Sequence, residues 1–125
     1  MSGALETVQA ALVMLLADIA PVYDGVPPRA AFPYIVISES PVTDWSTKTE
    51  QGREIRLALT LWDDGEVAQA LRFLMVTVEA AMDIFPRDLP GWRVASLVFL
   101  RSLISREPDA PCAALIEYRI RIIAL

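Results

Sequence analysis

Residues 53–62, REIRLALTLW, decide how this chain folds. Ile55, Leu57, Leu59 and Leu61 alternate with Glu54, Arg56, Ala58 and Thr60, so a strand here carries its aliphatic side chains on one face and leaves the other wet. Asp63, Asp64 and Gly65 break the alternation. Beyond them Val67, Leu71, Leu74, Met75, Val78 and Met82 recur on one side of a helix expected over residues 66–82. Asp64 is placed to cap that helix, and Pro86 and Pro90 close it off.

Working outward, residues 92–100, extending towards Ile104, read as a third strand and residues 112–123 as a fourth. In the fourth, Ile116, Tyr118, Ile120 and Ile122 alternate with Glu117, Arg119 and Arg121. SREPDAP, residues 105–111, supplies the turn between them, with Glu107 and Asp109 as turn residues. Upstream, YIVISES, residues 34–40, is rich in β-branched side chains and follows Pro33. VYDGVPPRAAFP, residues 22–33, suits neither a helix nor a central strand and reads as an ordered connector. Before it, Leu5, Val8, Leu12, Leu15, Leu16 and Ile19 form one helical stripe, with Ser2 as cap and Pro21 as stop. The expected fold is α+β and a single domain over residues 1–125. Two helices pack on one face of a four-stranded, mainly antiparallel sheet, in the order α-β-β-α-β-β.

The connection between the first two strands, about residues 41–52, is longer than hairpin closure needs. Its Ser and Thr content, its charges and its lone Trp45 suit a long hairpin arm better than a flexible linker. If the arm projects, Trp45 packs on another subunit; if it folds back, Trp45 covers the edge of its own sheet. Arg119 and Arg121 share a face of the last strand, where they can pair with Glu54 across the sheet or bridge subunits.

Composition narrows the function. Apolar residues make up 54% of the chain, above the roughly 45–50% of an ordinary soluble domain, and buried subunit contacts are the natural home for the surplus. The longest apolar run, Ala10–Leu16, is far short of the ~20 residues of a membrane span. With no basic start or cleavage pattern at its beginning, the chain reads as soluble and unexported. There is no histidine, which removes imidazole-based triads and most zinc and non-haem iron sites. The single cysteine, Cys112, reads as a core thiol. A net charge of −5 argues against gripping phosphate. Asp63 and Asp64 suit a cap and turn better than an acid/base or metal pair, and Tyr23 and Trp62 suit a core edge better than a ligand pocket. No catalytic residue, cofactor or metal is expected.

VYDGVPPRAAFPYIVIS, residues 22–38, followed by TDWSTKTEQGREIRLALTLWD, residues 43–63, resembles the small tail-completion, or tail-terminator, proteins of long-tailed phages, prophages and gene transfer agents. The likeness is fullest over residues 1–85. It implies a non-enzymatic structural protein in the tail of a virion or phage-like particle, assembled in the bacterial cytoplasm. Such a protein forms a six-fold homo-oligomeric ring at the head-proximal end of the tail tube, ends tube polymerisation and meets the head–tail connector protein. DNA passes through without specific binding, and no membrane is involved. Within such a ring, Trp45, Thr47, Lys48, Glu50 and Arg53 of the arm would contact a neighbour or the tail tube protein. Asp63, Asp64, Glu66, Glu79 and Asp83 would offer an acidic lumen face that repels phosphate. The alternative is a small cytoplasmic oligomeric binding module or adaptor without catalysis.

Overall fold

The computed structural model describes residues 3–25, 27, 29–38, 40–65, 68–105 and 111–125. Its elements run α1 (Ala4–Leu16), β1 (Val22–Asp24), β2 (Tyr34–Ile37), β3 (Val42–Asp44), β4 (Gly52–Asp63), α2 (Gln69–Met82), β5 (Asp88–Leu89), β6 (Trp92–Ser105) and β7 (Cys112–Ala124). The expectation of a four-stranded sheet under two helices does not hold. The described residues form one seven-stranded mixed sheet, in the order β1-β2-β4-β7-β6-β5 with β3 also on β4. It curls into a half-barrel, and 45% of the described residues are strand.

The three strands that the expectation lacked are short, and each borrows its order from a longer neighbour. β1 lies in the proline-rich connector and pairs parallel to β2, Val22 opposite Ile35 and Asp24 opposite Ile37. β5 precedes the turn at Gly91, whose φ of 77° suits glycine, and pairs back onto Trp92 and Arg93. β3 occupies the start of the expected arm and lies antiparallel to Arg53–Ile55. A two- or three-residue strand has too few side chains to show a period.

The long strands follow their alternation. Glu54 faces Arg121 and Leu59 faces Ile116 across β4 and β7, and β6 completes the antiparallel trio with register shifts at Val94/Ser96 and Phe99/Arg101. Ile55, Leu57, Leu59 and Leu61 of β4 and Ile116, Tyr118, Ile120 and Ile122 of β7 are buried on one face. Against it pack Leu71, Leu74, Val78 and Met82 of α2, and Val8, Leu12 and Leu16 of α1. Burying each such aliphatic side chain contributes about 1.5–3 kcal/mol.

α1 does more than cover a sheet face. It contacts α2 and also β1 and β5, which stand at opposite ends of the sheet order. Curling brings the two sheet ends to the same helix, and α1 closes the mouth of the half-barrel.

The expected capping does not occur as read. α2 begins at Gln69 after Ala68, with no side-chain cap, so Asp64 does not cap it. Gly3 stands at the N-cap of α1, where the Thr7 hydroxyl donates to its carbonyl at 2.9 Å. Ser2, Val67, Glu107 and Asp109 fall outside the described residues.

Candidate assembly surface

The arm is a short β-ribbon laid along its own sheet. Ser38 N–H donates to Ala58 and Arg56 N–H to Pro41, so β2 and β3 follow the same edge of β4. Beyond β3, Trp45 N–H donates to Gly52 and Thr47 N–H to Glu50. The Thr47 hydroxyl accepts from Glu50 N–H at 3.0 Å and from Thr49 N–H at 3.3 Å. A threonine at the start of a tight turn satisfies those donors locally, and it sets the tip at Lys48 and Thr49.

Gly52 allows this closure. It is buried, and a Cβ there would run into the Trp45 carbonyl and ring. The Ser46 hydroxyl donates to Asp44 at 2.6 Å and accepts from Gly52 N–H at 3.0 Å. Asp44 also meets Arg53 at 3.2 Å. The Ser46 hydrogen bond, with help from Arg53, holds the Asp44 carboxyl below the usual carboxylate range.

Trp45 is half-buried, and its ring lies over Arg121 of its own β7, 5.2 Å from guanidinium carbon to ring centroid. Arg121 also donates to Glu54 at 2.9 Å. The structure therefore folds the Trp45 side of the arm back onto its own protomer, and it places Arg53 in a contact within the arm. Thr47, Lys48 and Glu50 are exposed at the tip.

The helix-free face of β4, β7 and β6 carries a ladder of charges set by register. Arg101 donates to Glu117 at 2.8 and 3.2 Å. That pair raises the Arg101 pKa and lowers that of Glu117, through the hydrogen bonds first and direct charge second. Arg56 faces Arg119 across the strands, an unfavourable like-charge pairing, and Arg119 Nε is buried without a hydrogen-bond partner. Of the two arginines expected to pair with Glu54, only Arg121 does so. At the far end of the sheet Tyr34 stacks on Trp62, 6.4 Å between centroids, and meets Tyr23 edge-on at 5.9 Å. Tyr23 and Trp62 thus belong to one half-buried aromatic row.

The acidic residues do not converge. Asp63 ends β4 and Asp64 follows it, whereas Glu79 and Asp83 lie towards the C-terminal end of α2, a helix roughly 20 Å long at ~1.5 Å per residue. Glu66 lies outside the described residues. Glu79 and Asp83 act on Tyr118, whose hydroxyl is pushed up to about 12, first by burial and then by these two charges. Among the described residues there is no group of three or more Cys, Asp or Glu placed to hold a metal ion. No helix there is long and apolar enough to cross a membrane.

One feature of the surface went unread in the sequence. Phe73, Val76 and Ile84, on and just after α2, are 74%, 65% and 75% exposed, and Met14 of α1 is 82% exposed. The signal was present, because residues 73, 76, 80 and 84 are all apolar and recur at helical spacing opposite the buried stripe. A helix apolar on both sides needs a second partner.

This fold is shared with solved structures. One, described as the virion of a native gene transfer agent particle, matches with a TM-score of 0.73 and 23% identity, covering 97% of this chain and 95% of that one. Another, the gp17 protein of bacteriophage SPP1, matches with a TM-score of 0.59 and 20% identity, covering 94% and 89%. No curated protein sequence matches. The family profile described as tail completion protein gp17 matches residues 4–123, and the chain belongs to that family.

Proposed function

We propose that this protein closes the head-proximal end of a phage-like tail tube. Copies assemble as a ring of six on the last layer of tube protein, stop further polymerisation and present a surface to the head–tail connector protein, leaving a channel for DNA. The observation that carries the reading is membership of the tail-completion family over nearly the whole chain. The exposed apolar side chains of α1 and α2 support it, because a solitary protein gains nothing from leaving Phe73, Val76, Ile84 and Met14 in water.

In this reading the protein works by contact and carries out no chemistry, as a component of the tail assembled in the bacterial cytoplasm. The arm tip, Thr47, Lys48 and Glu50, meets the tube or a neighbouring subunit. Trp45 and Arg53 stiffen the arm from behind, and Trp45 adds its open half to the same contact. The acidic residues Asp63, Asp64, Glu79 and Asp83 bias the ring against holding DNA as it passes.

The test is polymerisation of the tail tube protein with and without this chain, followed by negative-stain imaging. Tubes that stop at limited length with added density at one end are expected. Tubes of unaltered length with bare ends would overturn the reading.

A further inference from the structure

Between α1 and the segment after α2 runs an apolar groove with a cavity volume of about 490 Å³, walled by Ala10, Met14 and Leu15 on one side and Leu89 and Pro90 on the other. Its charged lining residues are Glu6 and Asp88. Among the described residues neither makes an ion pair. Elsewhere on the molecule, the outer face of α2 presents Phe73 and Val76 to solvent with Arg72 exposed beside them, and Arg72 is likewise without an ion-pair partner among the described residues. Groove and stripe share no residue.

We propose that the groove of one copy receives the α2 stripe of a second copy, with Phe73 as the inserted side chain, Val76 along the wall and Arg72 facing Glu6 and Asp88. The inference rests on the ring reading above and names the contact that builds the ring. Shape and charge both favour it: the groove is apolar and larger than a phenylalanine side chain, its rim is acidic, and the stripe brings the matching cation. A large aromatic in an apolar cleft, flanked by opposite charges, is how a few residues carry most of an interface. Because the two surfaces differ, each copy uses its stripe on one neighbour and its groove on the other. Such a head-to-tail contact propagates from copy to copy and gives a ring where its rotation closes, whereas a self-complementary patch stops at a pair.

The test is a cysteine pair across the contact. Phe73→Cys and Met14→Cys are combined in one chain, where the native Cys112 is buried and does not compete. The protein is mildly oxidised with diamide, both purified at high concentration and within assembled tails. A ladder of linked chains on a non-reducing gel is expected in at least one preparation, and neither single variant should give linked dimers. Adding Arg72→Glu should lower ladder yield about tenfold, and Glu6→Arg with Asp88→Arg should restore it. Absence of a ladder in both preparations, dimers from a single variant, or a yield indifferent to Arg72→Glu would each overturn the proposal. All these positions are on the surface, and a circular dichroism spectrum confirms that the variants fold. Capping of tubes by the wild-type chain is measured separately, so failure of this contact and failure of the tail-closing reading give different results.

Discussion

Gly52 is where the arm and the sheet approach most closely. Any side chain there meets the backbone carbonyl of Trp45, so Gly52→Ala must open the ribbon or displace the ring from Arg121. We expect a loss of about 1–3 kcal/mol in chemical denaturation. Trp45→Ala leaves the backbone closure intact and removes the cation–π contact and half-buried area, for a loss of about 1 kcal/mol. Tyr118 gives a prediction in pH. Burial, with Glu79 and Asp83, pushes its hydroxyl up to about 12 from the ordinary 10.0, so the folded state holds this proton more tightly than the unfolded one. The stabilisation is complete below pH 10 and is lost as pH rises from 10 to about 12, at a slope of up to ~1.4 kcal/mol per pH unit. Tyr118→Phe should remove that part of the slope in alkaline denaturation curves, and an unchanged slope would assign it to other groups. At this scale the sequence showed that Trp45 was out of place in a polar loop. It could not show that Arg121, far along the chain, would be the surface beneath it.

The long elements were legible because each contains enough residues to display a period. β4, β6, β7 and both helices lie within a few residues of where alternation and helical spacing put them. The short strands were not legible, since β1, β3 and β5 exist only as partners of β2, β4 and β6. For the same reason, a count of strands by pattern gave four, whereas the described residues form seven. The role of α1 also emerges only at this level. Its stripe announced a packed helix, but its contact with both ends of a curled sheet makes it the closing element. Leu12 is fully buried in that closure. Leu12→Ala should cost roughly 2–5 kcal/mol, measured by thermal or denaturant unfolding. A loss as small as that of a surface substitution would show that the half-barrel stands without α1.

For the molecule as a whole, the net charge of −5 is unevenly spread. The helix-free sheet face carries Arg56, Arg101, Arg119 and Arg121 against Glu54 and Glu117, whereas Asp63, Asp64, Glu79 and Asp83 lie around α2 and its approaches. If Asp64 and Asp83 line the DNA path, Asp64→Lys with Asp83→Lys should slow DNA release from assembled particles, because new cations on the channel wall hold phosphate. Unchanged ejection kinetics would place those residues away from the channel. The surplus of apolar residues was visible in composition, and it called for subunit contacts without saying where. The proposed contact would place them at the exposed α2 stripe and the groove beside α1.

By itself, then, the sequence determined which segments are long strands and helices, which of their faces are buried, that no imidazole chemistry is available, and which family the motif around Trp45 resembles. Those properties are local: they depend on residue type and on spacing within a dozen or so positions. The tertiary structure alone decided the seven strands among the described residues, the curl that brings β1 and β5 to one helix and the seating of Trp45 on Arg121. These are fixed by strand register and by the packing of one core, and the period of a single segment does not encode them.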